Sequence, residues 1–270
     1  MSAMSRFAVV GNPISHSLSP EIHRRFAAEF GHALSYERVE SPIEGFRDTV
    51  SRLRQQGFGG CNVTLPFKEE AFRLCGQVTD RARSCGAVNT LVLGDEILGD
   101  NTDGAGLIAD IGNRLGFDVR GKTVLVLGAG GAARGVLPAL LARGPRRLAV
   151  ANRTLDRARR LAGDFGAEAL SYPEASRETY DCVINATSLS LSGMAPPVEA
   201  GVFRGAGLAY DLVYGARPTP FMELARRGGA GIVSDGLGML VEQAAESYLL
   251  WQGVRPATPE VYAGLRKGLS

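Results

Sequence analysis

The sequence predicts an α/β protein that folds into two domains and ends in a helical segment. Two observations carry this prediction: apolar runs rich in β-branched residues alternate with helical patterns almost throughout the 270 residues, and the alternation restarts at Thr123 after an interruption. Strands separated by helices favour parallel pairing through right-handed crossovers. The 35 glycines suit the many tight strand-to-helix turns of such a fold. We expect the two domains to be joined near residues 103–115.

The first hundred residues contain three candidate strands, "FAVVG", "SYERVE" and "GCNVT", each an apolar or alternating run. Helical patterns follow them and begin near Ser19, Ile43 and Pro66. The later runs "AVNTLVL" and "ILGDNT" are separated by a turn at Gly94 and Asp95, which predicts a β-hairpin.

From Thr123 onward the strand and helix patterns alternate regularly. The predicted strands are "TVLVLG", "RLAVAN", "CVINAT", "LAYDLVY" and "GIVSDG". Two further helices, near residues 237–251 and 259–267, follow the last strand, and the local pattern leaves open which domain they join.

Composition excludes several classes of function. The formal net charge of +2 is too small for a nucleic-acid-binding protein, and we expect no nucleic-acid partner. No apolar run reaches the roughly 18 residues of a membrane span, and the N-terminus lacks a signal-peptide core. The four cysteines show no CxxC spacing and indicate buried thiols in a reducing compartment, so we expect a cytoplasmic location. With only three histidines, a zinc site or a Ser-His-Asp triad is not expected.

The stretch "GAGGAARG" at residues 128–135 lies between a strand pattern and a helix pattern. This is the strand-turn-helix setting of a Rossmann-type dinucleotide site, in which Gly128 permits the turn and Gly130 lets the backbone approach a pyrophosphate. Backbone N–H groups at the helix start would face the phosphates. The alternative is a glycine-rich turn without a ligand.

The next strand ends in "ANRTLDR", which decides between the two nicotinamide dinucleotides. An NAD site would place a carboxylate here to hold the ribose 2′-hydroxyl. This chain has Asn152, Arg153 and Thr154, with Arg157 one turn later. Two guanidinium groups suit a dianionic 2′-phosphate, so the pattern predicts NADP. The alternative is a basic helix start on a solvent-facing surface.

Hydroxyl side chains follow the first strand in "GNPISHSLSP". Ser15, Ser17 and Ser19 could direct several donors at an anionic group. Ser19 followed by Pro20 also fits a helix N-cap with proline at the first helical position, and this alternative stays open for Ser19.

Other polar residues are typical of a site in the first domain. In "NVTLPFK", Thr64 ends a strand and Lys68 falls in the first turn of a helix, where the helix dipole disfavours its charged form. Asn89 in "GAVNT" lies in an apolar setting, where a buried amide needs partners. Asp103 in "DNTDG" begins a helix, and an N-cap role is the alternative for it, as a surface position is for Lys68.

Nine motifs in this chain occur in the same order as in one enzyme family. They are "GNPISHSLSP", "NVTLPFKEEAF", "GAVNT", "GDNTDG", "GAGGAARGV", "ANRTLDRA", "INATS", "YDLVYGARPTPF" and "DGLGMLVEQAA". Over nearly its full length the chain resembles the shikimate dehydrogenases, the NADP-dependent enzymes of aromatic amino acid and chorismate biosynthesis.

The resemblance implies a fold and an activity. It implies a substrate domain at 1–103, a Rossmann NADP domain at 104–236 and C-terminal helices at 237–270 that return to the first domain. The implied reaction is the reversible reduction of 3-dehydroshikimate to shikimate by NADPH, in a monomer or a homodimer.

The resemblance also implies site residues. Lys68 and Asp103 would form the catalytic pair. The implied substrate-binding residues are Ser17, Ser19, Thr64, Lys68, Asn89, Asp103, Tyr214 and Gln243. The implied NADP-binding residues are Asp80, Gly128, Ala129, Gly130, Gly131, Ala132, Asn152, Arg153, Thr154, Arg157, Leu212, Gly236 and Met239.

The chain departs from the family pattern at two places. "NATSLSLSG" lacks a glycine that is common after "NATS", and Leu18 stands where many members carry lysine. Two other hypotheses stay open: a quinate/shikimate dehydrogenase that uses NAD, and a non-catalytic NADP-binding sensor. The arginines of "NRTLDR" argue against the first, and the retention of Lys68 and Asp103 argues against the second.

Overall fold

The computed structural model describes residues 4–269, which form two compact units, each with its own six-stranded sheet. The first unit comprises the residues up to Gly106 together with Leu240–Gly264. The second unit comprises Leu107–Met239 together with the residues from Leu265 onward.

Residues 4–100 of the first unit form six strands and four helices. The strands are β1 (Ser5–Gly11), β2 (Leu34–Glu40), β3 (Gly60–Val63), β4 (Gln77–Val78), β5 (Thr90–Leu93) and β6 (Ile97–Asp100). The helices are α1 (Ser19–Phe30), α2 (Phe46–Gln55), α3 (Lys68–Leu74) and α4 (Asp80–Cys85). Helix α5 (Asp103–Ala109) runs from the first unit into the second.

The first sheet has the strand order β2-β1-β3-β5-β6-β4 and is mixed. Strand β1 pairs in parallel with β2 and β3, whereas β5 pairs antiparallel with β3 and β6. The β5–β6 pairing confirms the predicted hairpin. Because β1 and β3 are parallel neighbours, the loops that follow them leave the same edge of the sheet.

The second unit contains six strands and four helices of its own. The strands are β7 (Thr123–Leu127), β8 (Arg147–Ala151), β9 (Glu168–Leu170), β10 (Cys182–Asn185), β11 (Leu208–Asp211) and β12 (Ile232–Ser234). The helices are α6 (Gly131–Ala142), α7 (Leu155–Phe165), α8 (Tyr172–Ala175) and α9 (Pro220–Arg227).

The second sheet is parallel throughout, with the order β12-β11-β10-β7-β8-β9. This is the doubly wound order of a Rossmann fold, and the order reverses between β7 and β10. Alternate residues of β7 enter two separate cores: Val124 and Val126 pack into one, Leu125 and Leu127 into the other. Both faces of the sheet are therefore covered, which explains why its strands are continuous apolar runs.

Two C-terminal helices complete the chain: α10 (Leu237–Gln252) and α11 (Pro259–Leu269). From Leu240 onward α10 belongs to the first unit. There the Trp251 indole donates to the Leu91 carbonyl at 3.0 Å, and the ring stacks on Phe7 at 4.5 Å between centroids. The expectation that C-terminal helices pack back on the first domain holds for this part of the chain.

Some element boundaries differ from the sequence-based expectation. Helix α2 begins at Phe46 and not near Ile43, and α3 begins at Lys68 and not at Pro66. The short strands β4 and β9 carry too few residues for a periodic pattern, and sequence reasoning missed them. No helix within residues 4–269 is both long and apolar enough to cross a membrane.

Candidate active site

The first unit contains a buried ion pair between two residues that sequence reasoning had selected separately. The ammonium of Lys68 lies 2.5 Å from Oδ2 of Asp103. Their side chains are only 15% and 7% exposed. Lys68 is the first residue of α3 and Asp103 the first of α5, so two helix starts present opposite charges to each other.

Asn89, the residue before β5, fixes the position of the Asp103 carboxylate. Its Nδ2 donates to Oδ1 of Asp103 at 2.9 Å, and Thr102 Oγ1 and Gln243 Oε1 also lie within 3.2 Å of that nitrogen. Its Oδ1 accepts from the backbone N–H of Thr102 and the hydroxyl of Thr90, both at 2.9 Å. The amide is 2% exposed and fully engaged, as the buried setting of "GAVNT" predicted.

The alternative assignment of Asp103 as a helix N-cap is wrong. Oδ1 of Asn101 accepts from the backbone N–H of Asp103 at 3.1 Å, an Asx-type contact that satisfies this donor. The amide of Asn101 also donates to the Ala87 carbonyl at 3.0 Å. The Asp103 carboxylate is thereby left for Lys68 and Asn89. Sequence reasoning missed Asn101, although its position two residues before Asp103 carries the Asx-turn spacing.

The helix-cap alternative for Ser19 is also wrong. Helix α1 begins at Ser19, its N-cap is Leu18, and no side chain makes a capping hydrogen bond there. The Ser19 hydroxyl instead accepts from the Ser17 hydroxyl at 3.1 Å, while the Ser19 N–H donates to Ser17 Oγ at 3.3 Å. The two serines form one hydroxyl pair in the loop after β1.

The end of β1, from which this loop starts, packs closely against Thr64 at the end of β3. A Cβ on Gly11 would lie 2.5 Å from Thr64 Cγ2, so only glycine fits at the end of β1. Thr64 is partly exposed and follows β3 directly. The serine pair follows β1, and Thr64 and Lys68 follow β3. Because these strands are parallel neighbours, all of these residues lie at the same edge of the first sheet.

The glycine motif of the second unit has the geometry expected of a phosphate loop. Gly128 has φ +107°, and a Cβ there would lie 3.0 Å from Thr187 Cγ2 and 3.1 Å from the Ala186 carbonyl oxygen. Gly130 is extended and serves as the N-cap of α6, and nothing lies within 4 Å of where its Cβ would be. The open space above Gly130 at a helix N-terminus fits a pyrophosphate.

The basic segment after β8 is solvent-facing. Arg153, Thr154 and Arg157 are exposed, and neither guanidinium forms an ion pair with a carboxylate among residues 4–269. Asn152 is partly buried and donates to the Thr154 carbonyl at 2.9 Å, which orders the turn. The two guanidinium groups therefore have no carboxylate partner within residues 4–269 that would compete with an anion at the carboxyl edge of the second sheet.

Loops after β11 and β12 meet at the same edge of that sheet. A Cβ on Gly236 would lie 2.2 Å from the Leu212 carbonyl oxygen, so the two loops touch through backbone. The Met239 N–H donates to the Tyr210 hydroxyl at 3.2 Å, and that hydroxyl donates to Asp110 at 2.6 Å. Burial raises the pKa of Tyr210 well above its ordinary value, which keeps it a neutral donor. Sequence reasoning missed Tyr210 and Asp110, whose contact joins residues 100 positions apart.

The "NATSLSLSG" loop adopts its conformation without the glycine that is common in the family pattern. Residues Leu189–Ser192 form a 3₁₀ turn, and no non-glycine residue within 4–269 has positive φ. The Ser190 hydroxyl donates to the buried carboxylate of Asp211 at 2.7 Å. A serine is therefore compatible with this loop and anchors it.

Two further predicted site residues belong to different units. Tyr214 belongs to the second unit, in the loop after β11. Asp80 belongs to the first unit, where it is the exposed first residue of α4, next to the N-cap Thr79. Their roles stay predictions. Within the described part of the chain, no group of three or more His, Cys, Asp or Glu residues could hold a metal ion.

A mixed α/β unit with a buried Lys–Asp pair and a second unit with a dinucleotide-type glycine loop define a nucleotide-dependent oxidoreductase class. Two family models match the chain: the shikimate dehydrogenase substrate binding domain over residues 9–91, and shikimate / quinate 5-dehydrogenase over residues 110–192. The chain therefore belongs to the shikimate dehydrogenase family.

Individual relatives match over nearly the whole chain. Shikimate dehydrogenase (NADP(+)) of Aromatoleum aromaticum is 52% identical over 274 residues, covering 98% of each chain. The protein of the same name from Herminiimonas arsenicoxydans is 52% identical and covers all of both chains. Among solved structures, shikimate 5-dehydrogenase of Thermus thermophilus in complex with NADP(H) and shikimate is 37% identical, with a TM-score of 0.89, over 98% of this chain and 100% of that one.

Proposed function

We propose that this chain catalyses the reversible, NADPH-dependent reduction of 3-dehydroshikimate to shikimate, a step of aromatic amino acid and chorismate biosynthesis. The observation that carries the proposal is the pairing of Lys68 with Asp103 at 2.5 Å in a largely buried position. A reaction that turns a ring ketone into an alcohol needs a proton donor at the carbonyl oxygen, and a positioned ammonium is one.

The residues of the pair have different tasks in this proposal. When bound, NADPH supplies the hydride. Lys68 donates a proton to the carbonyl oxygen of 3-dehydroshikimate and takes it back in the reverse reaction. Asp103 accepts from the neighbouring 4-hydroxyl and holds the ammonium in place, while its second oxygen stays bound to Asn89. Because Oδ2 contacts Lys68 and Oδ1 contacts Asn89, the Asp103 carboxylate keeps its orientation through the catalytic cycle.

Substrate recognition is assigned to the residues around the pair. The hydroxyls of Ser17 and Ser19 bind the substrate carboxylate, because small hydroxyl donors suit an anionic group. Thr64, Asn89 and Gln243 contact the ring hydroxyls, and Tyr214 is assigned to the substrate by family resemblance alone. The contact of Gln243 with Asn89 supports a shared role for these two amides.

Binding of NADP is assigned to the second unit. The positive φ of Gly128 and the open space above Gly130 support the pyrophosphate position of residues 128–132. Arg153 and Arg157, exposed and without carboxylate partners in the described chain, support recognition of the 2′-phosphate, with Asn152 and Thr154 beside them. Further cofactor contacts are assigned to Leu212, Gly236, Met239 and, in the first unit, Asp80.

We assign the substrate domain to residues 1–103, the NADP domain to 104–236 and the C-terminal helices at 237–270 to the substrate domain. We further propose that the enzyme acts in the cytoplasm as a monomer or a homodimer, without a nucleic-acid partner. Size-exclusion chromatography with light scattering measures the oligomeric state directly.

The test is steady-state oxidation of shikimate and of quinate, each with NADP and with NAD. We expect the shikimate–NADP pair to have the highest kcat/KM. Comparable kcat/KM values with NAD and with quinate would favour the relaxed quinate/shikimate dehydrogenase instead. Tight NADPH binding by fluorescence without turnover of either substrate would favour the non-catalytic sensor.

A further inference from the structure

Arg38 on β2 holds the backbone of the loop that carries the serine pair. Its Nε and Nη2 both donate to the carbonyl oxygen of Ser17, at 2.8 and 2.6 Å. The guanidinium thus spans from the edge strand of the first sheet to the loop after β1. Two bonds from one planar group to one oxygen fix the Ser17 peptide, from which the Ser17 hydroxyl extends.

The positive charge of Arg38 has no carboxylate neutralising it within residues 4–269. Two of the acidic residues close to it pair with other arginines, and Glu40, two positions further along β2, is exposed and forms no ion pair with Arg38. Glu37, the preceding residue of β2, pairs with Arg6 at 3.1 Å, and Glu21 in the first turn of α1 pairs with Arg24 and Arg25, both at 2.7 Å. A full positive charge therefore stands one peptide group from the Ser17 hydroxyl.

The other charges of the site do not supply this potential. Lys68 is neutralised by Asp103 at 2.5 Å. Leu18, which separates the two serines in sequence, carries no charge. Arg38 is the charged side chain that contacts this loop, and its charge adds to the positive end of α1, which begins at Ser19.

We propose that Arg38 is a positioning and specificity-determining residue for the anionic substrate: it fixes Ser17 for binding the carboxylate, and its charge favours an anion at the serine pair. This inference rests on the proposed function, because it takes the substrate carboxylate to bind at Ser17 and Ser19. It assigns no part in hydride or proton transfer to Arg38, so its removal acts on substrate affinity and leaves the chemical step alone.

The first experiment compares Arg38→Gln and Arg38→Lys with the wild type in shikimate oxidation. Arg38→Gln removes the charge and one of the two bonds, and we expect the KM for shikimate to rise about tenfold, a modest effect because the side chain is exposed. The kcat and the KM for NADP should stay within about twofold. Arg38→Lys keeps the charge without the planar guanidinium group. We expect its KM for shikimate to lie about midway, on a logarithmic scale, between the values of the wild type and of Arg38→Gln.

The second measurement is the dependence of these constants on salt. An exposed charge is screened as ionic strength rises, so the wild-type KM for shikimate should increase between about 0.03 and 0.3 M NaCl. The increase should persist in Arg38→Lys and be much smaller in Arg38→Gln. A merely structural role for the arginine would leave the salt dependence unchanged in both variants.

The matched control is Arg54→Gln. Arg54 is likewise an exposed arginine that donates to a backbone carbonyl, that of Asp95 at 2.5 Å, in the same unit. We expect this control to retain the wild-type KM for shikimate.

Each outcome decides the question. If Arg38→Gln keeps the wild-type KM for shikimate, or if its KM for NADP rises by the same factor as its KM for shikimate, the assignment to Arg38 is overturned while the proposed function stands. If the wild type does not oxidise shikimate at all, the proposed function itself fails. Should Arg38→Gln not fold, Arg38→Lys carries the test: an unchanged KM would overturn the positioning role, and a severalfold rise with retained salt dependence would support it.

Discussion

Replacing Lys68 by Met is the most direct test of the proposed chemistry. Methionine keeps an unbranched apolar stem and removes the ammonium that lies 2.5 Å from Asp103. The carboxylate of Asp103, 7% exposed at its side chain, then keeps Asn89 as its remaining side-chain donor at 2.9 Å. The substitution therefore removes the proposed proton donor, and the nearly buried Asp103 carboxylate loses its positively charged partner.

The two consequences have different magnitudes. Loss of a general acid lowers turnover by about 10²–10⁴-fold. That range corresponds to a barrier increase of about 2.7–5.4 kcal/mol at 1.36 kcal/mol per tenfold. Loss of a charged partner for Asp103 costs about 1–3 kcal/mol of stability, which lowers the melting temperature by several degrees in a protein of this size. The two effects are separable, because the first lowers kcat and the second lowers the melting temperature.

The assay is steady-state shikimate oxidation with NADP across a range of pH, with thermal unfolding measured in parallel. We expect kcat to fall while the KM for shikimate changes far less, since the serine pair, Thr64 and Asn89 still hold the ring. The pH dependence of kcat that belongs to Lys68 should also disappear. Lys122→Met is the matched control, because the chain has only three lysines and Lys122 is exposed just before β7.

One result would refute this reasoning. If Lys68→Met keeps near-normal kcat and only raises the KM for shikimate, Lys68 is a binding residue, and the proton comes from another group or from water.

Three further substitutions test other parts of the structure. Arg153→Ala should raise the KM for NADP by about ten- to a hundredfold and leave that for NAD almost unchanged, since each bond to the 2′-phosphate contributes about 1.5–3 kcal/mol; equal losses with both cofactors would contradict a phosphate contact. Gly128→Ala places a Cβ at φ +107° and 3.1 Å from the Ala186 carbonyl oxygen. Urea denaturation should therefore show a free energy of unfolding about 1–3 kcal/mol lower. An unchanged denaturation midpoint would contradict the requirement for glycine at this position. Burial lowers the pKa of His23 from 6.5 to about 3. Because the unfolded chain then binds the proton first as pH falls, His23 lowers the free energy of unfolding progressively below about pH 6.5, by up to about 1.4 kcal/mol per pH unit. In urea titrations, His23→Phe should reduce this loss of stability at acid pH. An unchanged dependence of stability on pH would exclude His23 as its source.

The second unit was largely predictable from sequence because its signals are local. A strand segment that enters two cores must be apolar at every position, as "VLVL" at residues 124–127 of β7 is. A positive φ at the following turn requires glycine, which Gly128 supplies. Each of these features depends on a few consecutive residues, so the sequence displays them directly.

The polar site of the first unit was predictable as a set of residues but not as an arrangement. Sequence reasoning selected Lys68, Asn89 and Asp103 from their motifs and Gln243 through the family resemblance, yet it left a cap role open for Asp103. In the structure the backbone N–H of Asp103 donates to Asn101, and the Asp103 carboxylate pairs with Lys68. Cap and ion-pair roles use the same residue types at the same spacing, so local pattern does not separate them.

The sequence by itself determined the alternation of strands and helices, the glycine turn, the basic segment after β8 and the order of motifs that defines the family. Family resemblance implied that Lys68 and Asp103 act together, but only the tertiary structure showed the contacts themselves: Lys68 with Asp103 across 35 residues, and Asn89 with Gln243 across 154. It also placed Arg38 of an edge strand on the Ser17 carbonyl, 21 residues away. The physical reason is that such contacts depend on sheet order and helix packing, which bring distant segments together, whereas periodicity and turn propensity act within a few residues of each other.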